Sequence, residues 1–142
     1  MLRKNLDTQS TIFALASGRL PSAVAIEKIS GPQAFQIAQR IFKKASGDPI
    51  TKERGLYLGS LSDSGGNKID DCLMISFVAP HSHTGEDSIE FHCHGSISII
   101  RKLETTLLEF GANPASKGEI SYRAHLNNKL TPREMESLAD VF

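Results

Sequence analysis

The amino-acid sequence predicts an α+β domain in which a mixed β-sheet carries flanking helices. Three observations lead to this class. Short apolar runs of strand length alternate with segments whose apolar residues recur every three or four positions. In chain order the predicted elements are β, β, α, β, β, β and α, followed by a polar tail. The length of 142 residues suits one compact domain with its own core.

The first third of the chain predicts two strands and a helix. Residues 11–16 (TIFALA) form an apolar run of strand length. Residues 23–30 (AVAIEKIS) alternate with period two, which places Lys28 on the same face as Ile26. A helix is predicted over residues 32–45, because proline is tolerated at the first helical position and the apolar residues then repeat at helical spacing.

The middle of the chain predicts a hairpin, a further strand and a second helix. Residues 55–63 and 68–79 are strand-like and flank SGGN, whose two glycines allow the positive φ of a tight turn. Residues 87–94 (DSIEFHCH) alternate as a half-buried strand. An apolar helical stripe follows over residues 96–110, and Gly111 stands where a C-terminal cap belongs.

The end of the chain is polar and then amphipathic. Residues 117–130 (KGEISYRAHLNNKL) are mostly polar and are predicted to be a loop with helical turns. Beyond them, the spacing of Met135, Leu138 and Phe142 predicts a helix that stops while still amphipathic. Such an end is typical of a fragment of a longer protein, or of a terminal helix that docks on something.

Charge and composition argue against several classes of protein. Lys plus Arg equals Asp plus Glu at sixteen each, so the domain has no basic excess with which to hold nucleic acid by itself. No apolar run reaches the roughly 18 to 20 residues that span a bilayer, and no secretory h-region follows the N-terminus. Two cysteines do not make a disulfide scaffold. The chain is therefore predicted to be cytoplasmic, with no membrane contact.

The stretch HSHTGEDSIEFHCHG, residues 81–95, concentrates the reactive side chains: four histidines, one cysteine and three acids. An HxH pair on a strand, here His92 and His94, can direct two imidazoles at one metal ion. A Cys–His nucleophile is less favoured than this metal site, because strand alternation turns Cys93 toward the apolar side, away from both histidines. The sequence also lacks an HExxH motif and a GxxxxGK[ST] phosphate loop.

Glu90 offers a third interpretation of the same stretch. Alternation places its carboxylate on the polar face of the strand. It could pair with a basic neighbour, or it could accept hydrogen bonds from a ring N–H and an amine of a pterin- or purine-like ligand. Residue pattern alone leaves both open.

Three motifs in order carry a resemblance to a known family. They are AVAIEKISGPQAF, SHTGEDSIEFHCHG and KGEISYRAHLNNKLTPREMESLAD. Together they resemble the N-terminal domain of the tRNA-modification GTPases called MnmE or TrmE, whose pattern includes Ile-Ser-Gly-Pro, then SYTGEDxxExxCHGG, then GEFTxRAFLNGK. The likeness runs from about Thr11 to the last residue.

The resemblance implies a fold and a set of ligands. The domain would share the folate-binding fold of the glycine-cleavage aminomethyltransferase, form a homodimer and bind a tetrahydrofolate derivative in its 5-formyl or 5,10-methylene form. The parent enzyme would hydrolyse GTP with potassium and magnesium in an inserted G domain. With a flavin-dependent partner protein it would modify the wobble uridine of certain tRNAs to the 5-carboxymethylaminomethyl type.

The resemblance also implies a division of the chain. Residues 1–120 would form the folate-binding and dimerisation domain, and residues 121–142 would start the connection to a helical domain absent from this chain. Since the phosphate loop is also absent, the chain should not hydrolyse GTP alone.

Four residues are carried over as cofactor contacts. Lys28, Glu90 and Lys129 match the family's folate contacts, and no catalytic residue or metal ligand is assigned. Glu90 would accept from the pterin N–H and amino group, while the two lysines would meet the carboxylated tail or a ring carbonyl. Arg123 matches the GEF-x-x-R segment together with Glu119, where structural support is expected first and ligand contact second.

Some positions depart from the family pattern. Lys28 stands where the family has Arg, which keeps the charge but loses bidentate geometry. Glu27 stands where an apolar residue is usual. These departures leave open a dimerisation module with eroded folate binding. The strand histidines His92 and His94 leave open a second alternative, a small metal-dependent hydrolase.

Overall fold

The computed structural model describes residues 9–127 of the chain. Lys129 and the predicted terminal helix lie outside the described residues. The elements, in chain order, are β1 (Ile12–Leu15), β2 (Ser22–Ser30), α1 (Ala34–Ile41), β3 (Phe42–Lys44), β4 (Gly55–Ser62), β5 (Lys68–Phe77), β6 (Ser88–Gly95), α2 (Ile97–Glu109), β7 (Asn113–Pro114) and α3 (Glu119–Leu126).

One seven-stranded sheet organises these elements, in the order β3-β4-β5-β6-β2-β1-β7. All neighbouring strands are antiparallel except β1 and β7, which run parallel. The sheet is therefore mixed, and with three helices it confirms the predicted α+β class. β2 and β6 lie at the centre, so their side chains are screened by neighbours on both sides.

Helices α1 and α2 pack on one face of the sheet and form the core with it. Alternation along the strands directs Ile29 of β2 and Phe91 of β6 into this core, where both are fully buried. Ile37 of α1 and Leu103 of α2 cover them. The apolar stripes predicted for both helices are thus the surfaces that the sheet buries.

The opposite face, called here the open sheet face, carries two rows of aligned residues. One row crosses β4, β5, β6 and β2, and the second lies beside it. Their members are Leu56, Ile75, Glu90 and Lys28 in the first row, and Leu58, Leu73, His92 and Ile26 in the second. Leu56 and Leu58 are 61% and 68% exposed. This face combines exposed leucines on β4 with charged groups at the sheet centre.

The hairpin prediction is confirmed, and its turn explains the SGGN sequence. Asp63 Oδ1 accepts hydrogen bonds from the backbone N–H groups of Gly65 and Asn67, at 3.0 and 2.8 Å. Gly66 has φ +84°, a conformation that favours glycine. These bonds hold β4 and β5 in register.

The predicted helix over residues 32–45 was wrong at its C-terminal end. α1 stops at Ile41, and Phe42 is extended (φ −120°, ψ 134°) as the first residue of β3. Phe42 pairs with Leu61 of β4, and its ring lies 5.8 Å from that of Phe91. Packing on Phe91 and pairing with β4 override the helical spacing, which Phe42 also satisfies.

The predicted loop at residues 117–130 was also wrong in part, because α3 is a helix of eight residues. It begins after Gly118, whose φ of +79° is left-handed. Its buried side includes the ionisable Glu119 and Arg123 beside Ile120 and Ala124. Charged residues in a buried stripe conceal the amphipathic pattern by which helices are recognised.

Candidate ligand-binding site

Lys28 and Glu90 occupy facing positions on β2 and β6, in the middle of the open sheet face. Lys28 Nζ lies 3.3 Å from His83 Nδ1. Glu90 Oε1 lies 3.0 Å from Nε2 of His92, two residues along the same strand. The structure therefore brings together two of the residues predicted from the sequence, and it adds an imidazole to each.

Partial burial gives these groups unusual electrostatics. Burial lowers the pKa of Lys28, an effect that the negative charge of Glu90 opposes. The side chains of Glu90 and His92 are 21% and 24% exposed. A charge at this depth has lost much of its hydration, so a complementary ligand group gains more here than on an open surface.

His83 reaches Lys28 from the loop between β5 and β6. In this loop Thr84, which follows His83 and is fully buried, contacts Ser30 Oγ of β2 at 2.6 Å. Asp87, near the end of the same loop, accepts a hydrogen bond on Oδ1 from the backbone N–H of Ala79 at 2.9 Å. The residue remains exposed, but partial desolvation of the ring and then the positive charge of Lys28 lower the pKa of His83, an effect that the negative charge of Glu90 opposes. The ring is therefore favoured in its neutral form.

Arg123 lies in a buried polar network below the end of β2. The residue is 1% exposed. Its Nη1 donates to the backbone carbonyl of Ser10 at 2.6 Å and to Glu86 Oε2 at 3.2 Å, and its Nη2 donates to Glu119 Oε2 at 3.3 Å. Glu86 in turn accepts from Ser30 Oγ at 2.8 Å, two residues beyond Lys28. In this arrangement Arg123 anchors α3 and the β5–β6 loop around the base of the site.

The two strand histidines do not share a partner. His92 binds Glu90, whereas His94 Nδ1 lies 3.0 Å from the carboxylate of Asp70. Across residues 9–127, no group of three or more His, Cys, Asp or Glu side chains converges as a metal site. Cys93 is buried on the helix-covered face, and burial raises its pKa to about 11. A thiolate nucleophile is disfavoured there.

A surface cavity of about 840 Å³ lies elsewhere, between the β4–β5 turn and α2. It is lined by Asp63, Asn67 and Lys102, among others, and contains neither Lys28 nor Glu90. The charged pair sits instead on the broad open sheet face. Among the described helices, none is both long and apolar enough to cross a membrane.

His83 and His92 acquire roles that sequence reasoning did not assign to them. His92 was recognisable, because a histidine two residues from Glu90 on a strand shares its face. His83 was not, since its contact with Lys28 depends on how a distant loop folds back over β2. The folded arrangement defines an α+β domain with charged, half-buried residues at the centre of its open sheet face.

Comparison with known families identifies the class to which this domain belongs. The family described as "GTP-binding protein TrmE N-terminus" matches residues 11–129. The chain therefore belongs to that family, and the resemblance read from the three motifs is confirmed.

Curated relatives share one description, "tRNA modification GTPase MnmE". The protein of Mycoplasmoides gallisepticum is 38% identical over 99% of this chain and 30% of its own length. That of Bartonella quintana is 42% identical over 92% of this chain and 29% of its own length. That of Malacoplasma penetrans is 41% identical over the same 92% and 29%. The chain thus spans about 30% of the length of the relatives it matches.

Proposed function

We propose that this domain binds a tetrahydrofolate derivative, in its 5-formyl or 5,10-methylene form, on the open sheet face. The observation that supports this is the facing pair of Lys28 and Glu90, half-buried and each hydrogen-bonded to an imidazole. A half-buried cation beside a half-buried carboxylate suits a ligand that carries both hydrogen-bond donors and an anionic or carbonyl oxygen.

The chemistry of a reduced pterin fits these groups. Glu90 would accept from a ring N–H and the amino group, and Lys28 would donate to a ring carbonyl or to the carboxylated tail. Lys129 would add a second cation. The primary role of Arg123 would be structural support of the site, and contact with the ligand would be its secondary role. The bound group would supply a one-carbon unit, and the residues proposed here bind and orient it without a catalytic role.

We also propose that two copies of the domain associate through the open sheet face. Leu56, Leu58 and Val24 are each more than half exposed on that face. Burying such side chains stabilises an interface by roughly 25 cal/mol per Å² of apolar area. A second copy would also cover the charged pair and strengthen its contacts with a ligand.

The shared description of the relatives supports a proposal about the whole protein. We infer a cytoplasmic tRNA-modification GTPase that acts on the wobble uridine with a flavin-dependent partner protein. GTP, potassium and magnesium would bind outside this chain, whose sequence has no phosphate loop. This domain would supply folate binding and dimerisation, and would not hydrolyse GTP alone.

Calorimetric titration with 5-formyltetrahydrofolate tests the proposal. The wild-type chain should bind saturably, and Glu90→Ala should abolish binding while the melting temperature stays near that of wild type. Glu53→Ala removes an exposed acid outside the site and should bind like wild type. Saturable binding retained by Glu90→Ala would refute the assignment of that residue. A folded wild-type chain that binds no folate would favour a plain dimerisation module, and stoichiometric metal on elemental analysis would favour the hydrolase alternative.

A further inference from the structure

Lys28 and Glu90 form no ion pair with each other, although they face each other across β2 and β6. Facing Cβ atoms of antiparallel strands are roughly 4.5–5.5 Å apart, a distance that an ammonium and a carboxylate can close. Within the described residues, the contacts found are instead Lys28 with His83 and Glu90 with His92. Each of the two charged side chains therefore has a histidine as its partner in place of the other charged side chain.

The hydrogen positions of both imidazoles follow from their partners. An ammonium has three donors and no acceptor, so His83 must accept from Lys28 through an unprotonated Nδ1 and carry its hydrogen on Nε2. A carboxylate only accepts, so His92 must donate to Glu90 from a protonated Nε2. In each case the charged partner selects one tautomer of the ring.

We propose that His83 and His92 are positioning residues of this site, which keep the Lys28 ammonium and the Glu90 carboxylate separate and oriented toward a ligand. This inference rests on the proposed folate-binding function. Without the two rings, the ammonium and the carboxylate would close into an ion pair across the strands. That pair would occupy the donors and acceptors that the ligand needs.

The proton positions can be measured without any ligand. In long-range ¹H–¹⁵N correlation spectra of the folded chain near neutral pH, both rings should carry hydrogen on Nε2. Glu90→Ala should shift the ring signals of His92 toward the mixture of tautomers of a free imidazole, and Lys28→Ala should do the same for His83. A hydrogen on Nδ1 of His83, or a ring that ignores the loss of its partner, would overturn the inference.

Binding measurements then distinguish a role of the two histidine hydrogen bonds from a role of side-chain volume alone. Gln places an amide donor near the Nε2 position of histidine, and Asn places a carbonyl acceptor near the Nδ1 position. His92→Gln and His83→Asn should keep the Kd for 5-formyltetrahydrofolate within about threefold of wild type. His92→Leu and His83→Leu, which lose these hydrogen bonds to charged groups, should weaken binding about tenfold or more. Leu variants that bind like wild type, or conservative variants as weak as the Leu variants, would contradict positioning.

The two proposals fail in distinguishable ways. A wild-type chain that binds no folate defeats the proposed function, while the tautomers and their response to Glu90→Ala and Lys28→Ala still decide whether the rings hold the charges. Folate binding with tautomers opposite to those expected defeats positioning alone. Near-ultraviolet circular dichroism of each variant confirms that a loss of binding is not a loss of fold.

Discussion

Lys28 and Glu90 lie directly opposite each other in the β2–β6 register, yet each is hydrogen-bonded to a histidine and not to the other. Two opposite charges held apart on a half-buried face keep most of their hydrogen-bonding capacity. This relationship underlies the proposed ligand site.

Lys28→Arg tests whether this position contacts an anionic or carbonyl group. The family pattern has Arg here, and a guanidinium offers a planar pair of donors that an ammonium lacks. We expect Lys28→Arg to tighten 5-formyltetrahydrofolate binding by up to about tenfold, roughly the value of one additional charge-assisted hydrogen bond. Calorimetry measures the change, with Lys43→Arg on the exposed surface of β3 as the matched control. Unchanged or weaker binding by a folded Lys28→Arg chain would argue against this contact.

Arg123→Met tests the buried ion-pair network. The substitution leaves the carboxylates of Glu86 and Glu119 without the guanidinium that both contact, and Glu119 is 1% exposed. Removing one partner of a buried pair costs about 3–5 kcal/mol in the free energy of unfolding. Urea denaturation should show this loss, while Arg101→Met on the exposed side of α2 should change stability little. A loss of folate binding with unchanged stability would instead make Arg123 primarily a ligand contact.

The sheet was largely predictable because its strands alternate clearly. In β6, Ile89, Phe91 and Cys93 are buried in the core, while Glu90 and His92 lie on the other face, as period two requires. The family resemblance singled out Lys28 and Glu90. Their apposition was not predictable, because strand order depends on contacts between distant segments that one sequence does not reveal.

Of the elements that were not predicted, β3 and α3 have a clear physical reason. Phe42 fits a helical stripe as well as a strand, and its packing on Phe91 decides the outcome. In α3, Arg123 and Glu119 are buried as an ion pair, against the usual rule that charged residues are exposed. The residue pattern of a segment does not predict its structure where tertiary contacts decide the conformation, as at Phe42, or where they pair a buried charge, as at Arg123.

Leu56→Glu combined with Leu58→Glu tests the proposed dimer face. Both leucines are exposed in the single domain, so the substitutions should leave the fold of each copy intact, and any fall in melting temperature should come only from the lost association. Charges placed in an apolar interface would remain unpaired and should shift a dimer toward monomer. Sedimentation velocity measures the shift, and Leu108→Glu, at a 51% exposed position on α2, is the matched control. A dimer that survives the double substitution, or dissociates with Leu108→Glu, would place the interface elsewhere.

Glu27 creates a pH-dependent weakness in the core. The residue is fully buried on β2, and within the described residues neither of its carboxyl oxygens has a hydrogen-bond partner. Burial, reinforced by the nearby Glu104 side chain, raises the pKa of Glu27 to about 10. The ordinary pKa of this carboxyl group is 4.5, so the unfolded chain releases the proton above pH 4.5, whereas the folded domain still holds it. The contribution of this proton to the free energy of unfolding is therefore complete below pH 4.5 and is lost as the pH rises toward 10.

Glu27→Met removes this titration and fills the site with an apolar side chain of similar length. Urea denaturation should show a free energy of unfolding that exceeds the wild-type value increasingly as the pH rises from about 5 to about 9. The difference should grow by up to about 1.4 kcal/mol per pH unit, because a shifted proton equilibrium has that slope. Asp48→Asn, which neutralises an exposed acid, should show no such trend. A difference between Glu27→Met and wild type that stays constant with pH would mean that Glu27 is ionised in the folded domain.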